Sequence, residues 1–357
     1  MRIVQIIDSL ETGGAERMAV NYANALTRKI EFSGLVATRA EGGLRHMIEP
    51  EVQYLFLQKK RTIDLKATVR LLRYCQHNRI DMIHAHSTSY FISILVKLRL
   101  PHIKLVWHDH NGMSESLSNR EYFPLNICSL MFVGIIVVNH QLKEWARRKL
   151  HCPSILYLSN FTYKVQNPQQ ITKLMGTTGK RVLMLANLRE QKDHFMLVKV
   201  ARLIKTTHPD WTFHLVGKDF NDDYSRRVRI AVLESGLADS VFFYGSCIDT
   251  DAIIAQCDIA ILTSNSEGLP VALLEYGLHS KPVVVTAVGQ VPEIVENEKN
   301  GFILPSGDDV SFAQALVRLI DDPNLCRLMG EELHATTNRD SSSEAALETY
   351  LDWIKKI

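Results

Sequence analysis

The sequence predicts two α/β domains, each with a parallel sheet covered by helices on both faces. Short runs rich in Val, Ile and Leu alternate with segments of helical period along all 357 residues. These runs are apolar throughout, which is typical of strands buried on both faces of a parallel sheet. The length exceeds one ordinary hydrophobic core and fits two domains of typical size. We therefore expect two doubly wound domains of the α/β class.

Thirteen strands are predicted from the apolar runs. In the first half they are expected at residues 3–7, 33–37, 52–57, 82–85, 104–107, 134–138 and 154–158. In the second half they are expected at 181–186, 212–216, 241–244, 259–263, 282–285 and 301–304. Helix-period segments lie between them, for example at 15–26, 65–76 and 141–150. Ligands bind beyond the carboxyl ends of parallel strands, so the residues that directly follow strands are the candidate functional residues.

The domain boundary is predicted in a polar stretch without a sustained apolar period. It contains Asn167-Pro168 and two glycines, Gly176 and Gly179, a composition typical of a linker. The last residues are apolar at helical spacing, so a C-terminal helix is expected to pack back toward the first domain. The expected divisions are an N-terminal domain over 1–163, a linker over 164–179, a C-terminal domain over 180–340 and the C-terminal helix over 341–357.

The composition is that of a globular protein, with 46% hydrophobic and 22% charged residues. Its six cysteines are scattered without a Cys-x-x-Cys motif, so we expect reduced thiols rather than disulfides or a metal site. The chain opens directly into a predicted strand, and no signal peptide is expected. The most apolar stretch, residues 125–138, falls short of the roughly 20 residues that a membrane-spanning helix needs. These features favour a cytoplasmic location.

The net charge of +2 hides an asymmetry between the halves. Residues 1–165 contain 22 Lys and Arg against 13 Asp and Glu, whereas residues 166–357 contain 19 against 26. The basic half lacks interleaved aromatics and any nucleic-acid-binding motif, so nucleic acid is not an expected partner. An anionic membrane surface or a phosphorylated acceptor fits the charge, and solvated helix faces are the alternative. Since Leu65, Val69 and Leu72 are expected to pack into the core, the predicted membrane attachment is electrostatic and peripheral.

Two segments that follow strands carry candidate functional residues. After the first strand, Gly13 and Gly14 precede a helix, an arrangement that allows close approach to an anion; a purely structural turn is the alternative. After the strand at 259–263, Glu267 lies in a turn and Glu275 about two helical turns further on. One carboxylate lies on each side of the free amides at a helix start. If a diphosphate binds to those amides, the two carboxylates can accept hydrogen bonds from hydroxyls on either side of it. A helix-start acid with an unrelated surface glutamate is the alternative.

Glu267 and Glu275 match the E-x7-E motif of retaining glycosyltransferases with the GT-B fold. The chain resembles their family-four group, which includes bacterial polysaccharide and glycolipid assembly enzymes, over nearly its whole length. Six further segments support the resemblance in the correct order: the loop 13–17, the His-x-His strand end at 84–86, the Asn160 turn, the loop 186–192, and the turns 288–293 and 301–308. The resemblance implies two Rossmann-like domains that face each other across a cleft.

The resemblance also implies roles for individual residues near the leaving group. Arg189 and Lys192 would stabilise the departing diphosphate without a metal. Many relatives carry Arg at the position of Asn187, so this chain departs from the commonest pattern there. Glu275 would accept from the ribose hydroxyls and Glu267 would contact the transferred sugar.

Further residues are expected around the sugar and the base. The amides of Gly268, Leu269 and Val271 would face sugar and phosphate. Ser246 or Cys247 would lie near the nucleobase, and His110, after the strand at 104–107, near the transferred sugar. His108 and Asp109 are expected to be structural. Gln290, where relatives usually have Gly, lies in a turn near the sugar.

No metal site is expected. His84 and His86 form a His-x-His pair, but further ligands are not apparent near them in the sequence. Asp249-Thr250-Asp251 has the form of a D-x-D metal motif. It stands at a predicted helix start, where we expect the aspartates to cap amides. We therefore expect no metal and no other cofactor.

The sequence thus predicts a retaining, metal-independent glycosyltransferase. It would move a sugar, expected to be a UDP-linked hexose or N-acetylhexosamine, to a hydroxyl of a saccharide or lipid-linked acceptor. The expected setting is bacterial surface polysaccharide or glycolipid synthesis, such as capsule or lipopolysaccharide, at the cytoplasmic face of the inner membrane. The alternatives are a GT-B epimerase or phosphorylase, and an inactive scaffold that binds nucleotide-sugar.

Overall fold

A computed structural model describes residues 1–111, 117, 120–163, 168–340 and 343–357. They divide into two compact units, Met1–Phe161 together with Ser343–Ile357, and Thr162–Ser342. All thirteen predicted strands are present, each within a few residues of its expected bounds, so the predicted fold class is confirmed. Part of the expected linker, residues 164–167, and the first residues of the expected C-terminal segment, 341 and 342, lie outside the described residues.

The first unit contains a seven-stranded sheet in the order β3-β2-β1-β4-β5-β6-β7. Neighbouring strands pair in parallel. The order reverses between β1 and β4, which is the topological switch point of this sheet. Its strands are β1 (Arg2–Ser9), β2 (Phe32–Ala40), β3 (Gln53–Phe56), β4 (Met82–His86), β5 (Lys104–Asp109), β6 (Gly134–Val137) and β7 (Ile155–Tyr157).

Two helices of the first unit, α2 and α5, begin at a side chain that caps them. Asp64 accepts from the amide of Ala67 at 3.0 Å, and Asn139 accepts from the amide of Leu142 at 2.7 Å, which satisfies amides that the first helical turn leaves open. The helices are α1 (Gly14–Leu26), α2 (Leu65–His77), α3 (Tyr90–Lys97), α4 (Leu125–Cys128), α5 (His140–Lys149) and the C-terminal α13 (Ser343–Lys356).

Helix α13 packs in the first unit. The ring of Tyr350 is fully buried, 5.0 Å from the ring of Tyr22 on α1. The indole Nε1 of Trp353 donates to Ser154 Oγ at 2.9 Å. A Cβ at Gly134 would come within 2.4 Å of the Trp353 ring, so glycine in β6 makes room for this helix.

The expected packing of two apolar residues on α2 is wrong. The helix buries Ala67, Leu71 and Cys75, which lie on one face at helical spacing. Leu65 and Val69 lie off that face and are 73% and 42% exposed. Only Leu72 of the three expected positions packs against the core.

The second unit contains a six-stranded sheet in the order β10-β9-β8-β11-β12-β13. All its pairings are parallel, and its order reverses between β8 and β11. The strands are β8 (Arg181–Leu185), β9 (Thr212–Val216), β10 (Val241–Gly245), β11 (Ile259–Leu262), β12 (Val283–Thr286) and β13 (Phe302–Leu304). The helices are α6 (His194–Thr207), α7 (Asp223–Glu234), α8 (Thr250–Ala255), α9 (Val271–Leu278), α10 (Val291–Ile294), α11 (Asp309–Asp321) and α12 (Pro323–Asp340).

Helices cover both faces of the second sheet, which explains its continuously apolar strands. Val182 and Met184 of β8 belong to the core that α6 and α11 build on one face. Leu183, between them, belongs to the core on the other face with Leu273 of α9. Successive side chains of a strand point to opposite faces, so both sets must be apolar.

The segment before β8 belongs to the second unit and is bound to the start of that strand. The Arg181 guanidinium donates to the carbonyls of Leu174 at 3.1 Å and Gly176 at 2.9 Å. Leu174 itself is buried in the core. Among the residues that the structure describes, no helix is long and apolar enough to cross a membrane.

Candidate functional site

The second unit gathers charged and polar side chains beyond the carboxyl ends of β8 and β11. These two strands flank the switch point of the sheet, where loops on either side diverge and leave a crevice for a ligand. The loop after β8 carries Asn187, Arg189 and Lys192. The loop after β11 carries Ser264 and Glu267. Residues far apart in sequence therefore meet at one edge of the sheet.

Lys192 and Glu267 form an ion pair across the switch point. Only 17% of the lysine side chain and 5% of the glutamate side chain are exposed. Ser264 Oγ donates to the same carboxylate oxygen, Glu267 Oε1, at 2.7 Å. The Glu267 carboxylate is thus held by one residue from the loop after each strand: Lys192 after β8 and Ser264 after β11.

The loops around this pair are fixed by hydrogen bonds to their backbone. Thr263 Oγ1 donates to the carbonyls of Lys192 and Asp193, each at 3.0 Å. The amide of Asn265 donates to the carbonyl of Gln191 at 2.9 Å. Asp193 has a positive φ of 42° and accepts from the Met196 amide at 3.1 Å, which starts α6. The position of Lys192 is therefore set by backbone contacts as well as by its ion pair.

A glycine turn after β12 supports Glu267 from a third side. Gly289 has a φ of +55°, and a Cβ there would come within 2.2 Å of the Glu267 carbonyl oxygen, so only glycine fits. The amide of the next residue, Gln290, donates to the Gly268 carbonyl at 2.9 Å. The Gln290 side chain donates to Glu293 at 2.9 Å. The departure at Gln290 thus lies in the turn that contacts the Glu267 loop.

Arg189 is not part of the ion pair. It is exposed, and its guanidinium lies 4.8 Å from the centre of the Phe220 ring, which Lys218 also approaches at 5.1 Å. Asn187, at the position where many relatives have Arg, accepts from the Lys218 amide at 2.7 Å. Lys218 and Phe220 were not among the predicted site residues. Both residues closely follow β9, so the rule that residues after strands are candidates could have identified them.

Glu275 lies on α9, which begins at Val271 after Pro270, as the sequence predicted. The carboxylate-bearing residue is half-buried, while Leu269 and Val271 before it are buried. The next residue, Tyr276, is fully buried, and its hydroxyl accepts from the Leu185 amide at 2.6 Å. Helix α9 is therefore fastened to the end of β8.

Ser246 and Cys247 follow β10, an edge strand two positions from β8. Ser246 is exposed and Cys247 is half-buried. The thiol lies 3.8 Å from the carbonyl oxygen of Tyr244, and burial raises its pKa. Ser246 and Cys247 thus follow the outermost strand of the sheet, whereas Lys192 and Glu267 follow its two central strands.

The expectation that Asp249 caps its helix is wrong. Asp249 precedes α8, but its carboxylate accepts from the amides of Ile171 at 2.8 Å and Thr172 at 2.6 Å. Burial opposes its ionisation, yet these hydrogen bonds hold the pKa of Asp249 below its ordinary value. Asp251 pairs with His279 at 2.8 Å. Both carboxylates of the D-x-D segment are engaged by protein groups: the segment before β8 supplies the partners of Asp249, and the end of α9 supplies that of Asp251.

The remaining predicted residues lie in the first unit. Gly13 precedes α1 with an extended backbone, and Gly14 is the first residue of that helix. A Cβ at Gly13 would come within 2.3 Å of the Glu16 carboxylate, so the side chain of Glu16 occupies the space in front of this turn. His110 directly follows β5 and is partly exposed.

His110 belongs to a cluster of four histidines. His84 and His86 of β4 and His108 of β5 are buried. One ring nitrogen from each of the three lies within 4.8 Å of those of the other two. The expectation that no further ligand lies near His84 and His86 is therefore wrong: parallel pairing of β4 with β5 brings in His108. Asp109 accepts from Arg120 at 2.5 Å and 3.1 Å, a structural ion pair.

Comparison with known proteins identifies the class. Residues 12–162 match the model of Glycosyltransferase Family 4, and residues 167–334 match that of Glycosyl transferases group 1. The chain therefore belongs to the glycosyltransferases with the GT-B fold.

Individual relatives agree with this class. The chain is 24% identical over 333 residues to the Escherichia coli UDP-Gal:alpha-D-GlcNAc-diphosphoundecaprenol alpha-1,3-galactosyltransferase, covering 87% of this chain and 85% of that one. It is 28% identical over 163 residues to the Bacillus subtilis protein EpsD, covering 46% of this chain and 42% of EpsD. The crystal structure of Anabaena HepE with UDP and glucose superposes with a TM-score of 0.82 at 17% identity, with complete coverage of both chains.

Proposed function

We propose that this glycosyltransferase moves a hexose or N-acetylhexosamine from UDP to a hydroxyl of a saccharide or lipid-linked acceptor, with retention of configuration. The proposed setting is bacterial surface polysaccharide or glycolipid synthesis. The name of the E. coli relative specifies a UDP-sugar and a lipid-diphosphate-linked acceptor, and HepE has been crystallised with UDP-glucose. Both likenesses support this choice of donor.

The ion pair between Lys192 and Glu267 at the switch point is the observation that carries the proposal. A diphosphate that binds beyond the carboxyl ends of β8 and β11 would lie close to the Lys192 ammonium. When the ammonium turns to the phosphate, the Glu267 carboxylate becomes available to accept from a sugar hydroxyl. A single contact thus supplies one group for the leaving diphosphate and one for the transferred sugar.

The proposed reaction follows a front-face route. The acceptor oxygen forms a bond to the anomeric carbon on the side from which the diphosphate departs. The bond between the anomeric carbon and the phosphate oxygen breaks, and the acceptor proton passes to that oxygen. Lys192, with Arg189 at the rim, stabilises the charge that develops on the diphosphate. The protein contributes positioning and electrostatic stabilisation.

We propose that no metal takes part. The carboxylates of Asp249 and Asp251 already bind backbone amides and His279, respectively. Cationic side chains stand instead where the diphosphate is expected. Retained activity in EDTA is the expected outcome, and loss of activity that Mg²⁺ or Mn²⁺ restores would count against this proposal.

We further propose that α2 attaches the protein to an anionic membrane surface. Leu65 and Val69 are exposed, as is Ile63 before the helix, and the basic residues Lys66 and Arg73 accompany them. Each basic residue near such a surface contributes about 1 kcal/mol. The exposed apolar side chains add shallow insertion to the electrostatic attachment that the sequence predicted.

Sedimentation with vesicles of anionic and of neutral lipid tests the membrane proposal. Wild-type protein should sediment with anionic vesicles at low salt and be partly retained at high salt, because apolar contacts are not screened. The double variant Leu65→Ser, Val69→Ser should be released completely by high salt. A matched variant on the exposed face of another helix, Ile230→Ser with Leu233→Ser on α7, should behave as wild type. Absence of binding at low salt would overturn the proposal.

A panel of UDP-, GDP- and ADP-sugars tests the donor. We expect thermal stabilisation and slow release of free sugar with one or more UDP-sugars, and transfer when a saccharide acceptor is present. Interconversion of the sugar while it stays on the nucleotide would indicate an epimerase, and phosphate-dependent release a phosphorylase. Binding without any turnover would indicate a scaffold. Each of these three outcomes would contradict the proposed reaction.

A further inference from the structure

One face of the first sheet carries a run of buried polar side chains that the proposed chemistry leaves unexplained. His84 and His86 are two residues apart on β4, and Gln5 of β1 lies in register with His84. His108 of β5 lies in register with His86, and His110 stacks on His108 with ring centres 3.9 Å apart. Since side chains two residues apart share a face of a strand, these five residues lie together.

These histidines are neutral at physiological pH. Burial lowers the pKa of His84, His86 and His108 well below 6.5, and lowers that of His110 to about 3. Aromatic rings surround the cluster, with Tyr22 5.1 Å from His84 between ring centres. Each imidazole therefore carries one proton, on one of its two nitrogens.

One arrangement of these protons satisfies the hydrogen bonds between Gln5, His86 and His110. Gln5 Oε1 lies 2.8 Å from His86 Nε2; a carbonyl oxygen only accepts, so His86 Nε2 is protonated. His86 Nδ1 is then an acceptor, and it lies 2.8 Å from His110 Nε2. His110 therefore donates through Nε2, and its Nδ1 retains a lone pair. Of the four histidines, His110 alone is partly exposed.

We propose that Gln5 and His86 are positioning residues that hold His110 as its Nε2–H tautomer, so that Nδ1 accepts a hydrogen bond from a hydroxyl of the transferred sugar. The proposal rests on the proposed function and on the resemblance described above, which implies that His110 lies near that sugar. It predicts a specificity: the hydroxyl that meets His110 acts as a donor. An analogue with fluorine in place of that hydroxyl loses the interaction, because fluorine has no proton to donate.

A second branch of the cluster provides the control. His84 Nδ1 lies 3.2 Å from the Tyr350 hydroxyl, and His84 Nε2 lies 3.2 Å from His108 Nδ1. Within the described part of the chain, no hydrogen bond of this branch reaches His110. His84 and His86 are equally buried and two residues apart, so the same substitution at each costs comparable packing while only one touches His110.

The tautomer is tested by NMR of ¹⁵N-histidine-labelled full-length protein, with His110 assigned by comparison with His110→Gln. We expect Nε2 of His110 to be protonated and Nδ1 to have the chemical shift of an unprotonated nitrogen. This arm needs neither donor nor turnover, so it stands apart from the proposed function. A proton on Nδ1, or stoichiometric zinc bound by the histidines in purified protein, would overturn the proposal.

The kinetic arm compares His86→Leu, His86→Asn and His84→Leu in hydrolysis of the best UDP-sugar. His86→Leu should lower kcat about tenfold with KM for the donor little changed, since one hydrogen bond that orients His110 is lost. His86→Asn keeps an acceptor near the position of Nδ1 and should recover most of kcat. His84→Leu should lower the melting temperature as much as His86→Leu while kcat stays near wild type. Equal kcat for the two His86 variants, or an equal loss in His84→Leu, would contradict the positioning role.

Discussion

The two sheets place different chemistry at the same topological position. Each reverses its strand order between two central strands, β1 and β4 in the first unit and β8 and β11 in the second. Beyond β8 and β11 stands a buried ion pair, Lys192 with Glu267. Around β1 and β4 stand histidines that burial keeps neutral, with pKa values well below the ordinary one. The same sheet position thus carries a charged pair in one unit and neutral rings in the other, and we propose that the first of these meets the diphosphate and the second the sugar.

The largest expected effect comes from breaking the ion pair. Lys192→Met leaves a buried carboxylate unpaired, which should lower the free energy of unfolding by about 3–5 kcal/mol. It also removes a cation from the diphosphate, so kcat/KM should fall by about 100-fold or more. Urea unfolding and steady-state kinetics measure the two effects.

Two further variants sharpen this test. Adding Glu267→Leu to Lys192→Met removes both charges and should restore much of the stability but none of the activity. The exposed Lys199 pairs with the half-buried Asp309 at 3.8 Å, so Lys199→Met should change stability by less than about 1 kcal/mol. If Lys192→Met is as mild as Lys199→Met, the pair is not the centre of the site.

The next effect separates the two glutamates. Glu275→Ala should mainly raise KM for the donor, because its proposed contact is with ribose. Glu267→Ala should mainly lower kcat, because its proposed contact is with the reacting sugar. Each loss should be roughly 1.5–3 kcal/mol, as for a hydrogen bond to a charged group. Small and equal changes of both constants in both variants would argue against these roles.

Sequence reasoning located the strands because their apolar runs record burial on both faces. It also singled out Glu267 and Lys192, which lie in the loops that follow β11 and β8. It did not reveal that they pair, because 75 residues separate them and only the order of the sheet makes them neighbours. The structure adds a difference between the two expected diphosphate ligands: Lys192 pairs with Glu267, whereas Arg189 is exposed and lies against the Phe220 ring.

Partners supplied by distant segments are what the sequence could not reveal. Asp249 has the position of a helix cap, yet it binds amides near residue 171. His84 and His86 were predicted to lack further metal ligands nearby, yet β5 brings His108 beside them. In both cases the local pattern was interpreted correctly as a strand or a helix start. The side-chain partner depended on which elements pack together.

The neutral cluster makes stability depend on pH. The unfolded chain takes up protons on its histidines near pH 6.5, whereas the buried rings do not, because burial lowers their pKa. The free energy of unfolding should therefore decrease as pH falls from 7 to 5, by up to about 1.4 kcal/mol per pH unit for each buried histidine.

Urea unfolding at several pH values measures this dependence. His84→Leu should reduce the slope of the free energy of unfolding against pH by the contribution of one histidine. His102→Leu, at an exposed position, should leave that slope unchanged. A slope that does not change in His84→Leu would show that the cluster is not held neutral.

A smaller effect concerns the D-x-D segment. Asp249→Ala leaves the amides of Ile171 and Thr172 without their acceptor and should cost about 1–3 kcal/mol of stability. The Asp249→Ala variant should still turn over the donor, and EDTA should not lower its activity. Asp258, which accepts from the Arg181 amide at 2.9 Å, offers a comparable structural carboxylate for control. If Asp249→Ala loses turnover, added Mn²⁺ restores it, and a variant of Asp258 shows neither effect, the D-x-D segment binds a metal.

The proposed reaction is tested most directly by the configuration of its product. Methanol is offered as a small acceptor to the enzyme with its best UDP-α-sugar in EDTA, and the methyl glycoside is analysed by proton NMR. A methyl glycoside does not interconvert between anomers, so the product records the stereochemistry of the enzymatic step. We predict the methyl α-glycoside from wild-type protein and at least about 100-fold less of it from Lys192→Met. A methyl β-glycoside, or equal yields from the two proteins, would contradict retaining transfer at the Lys192–Glu267 site.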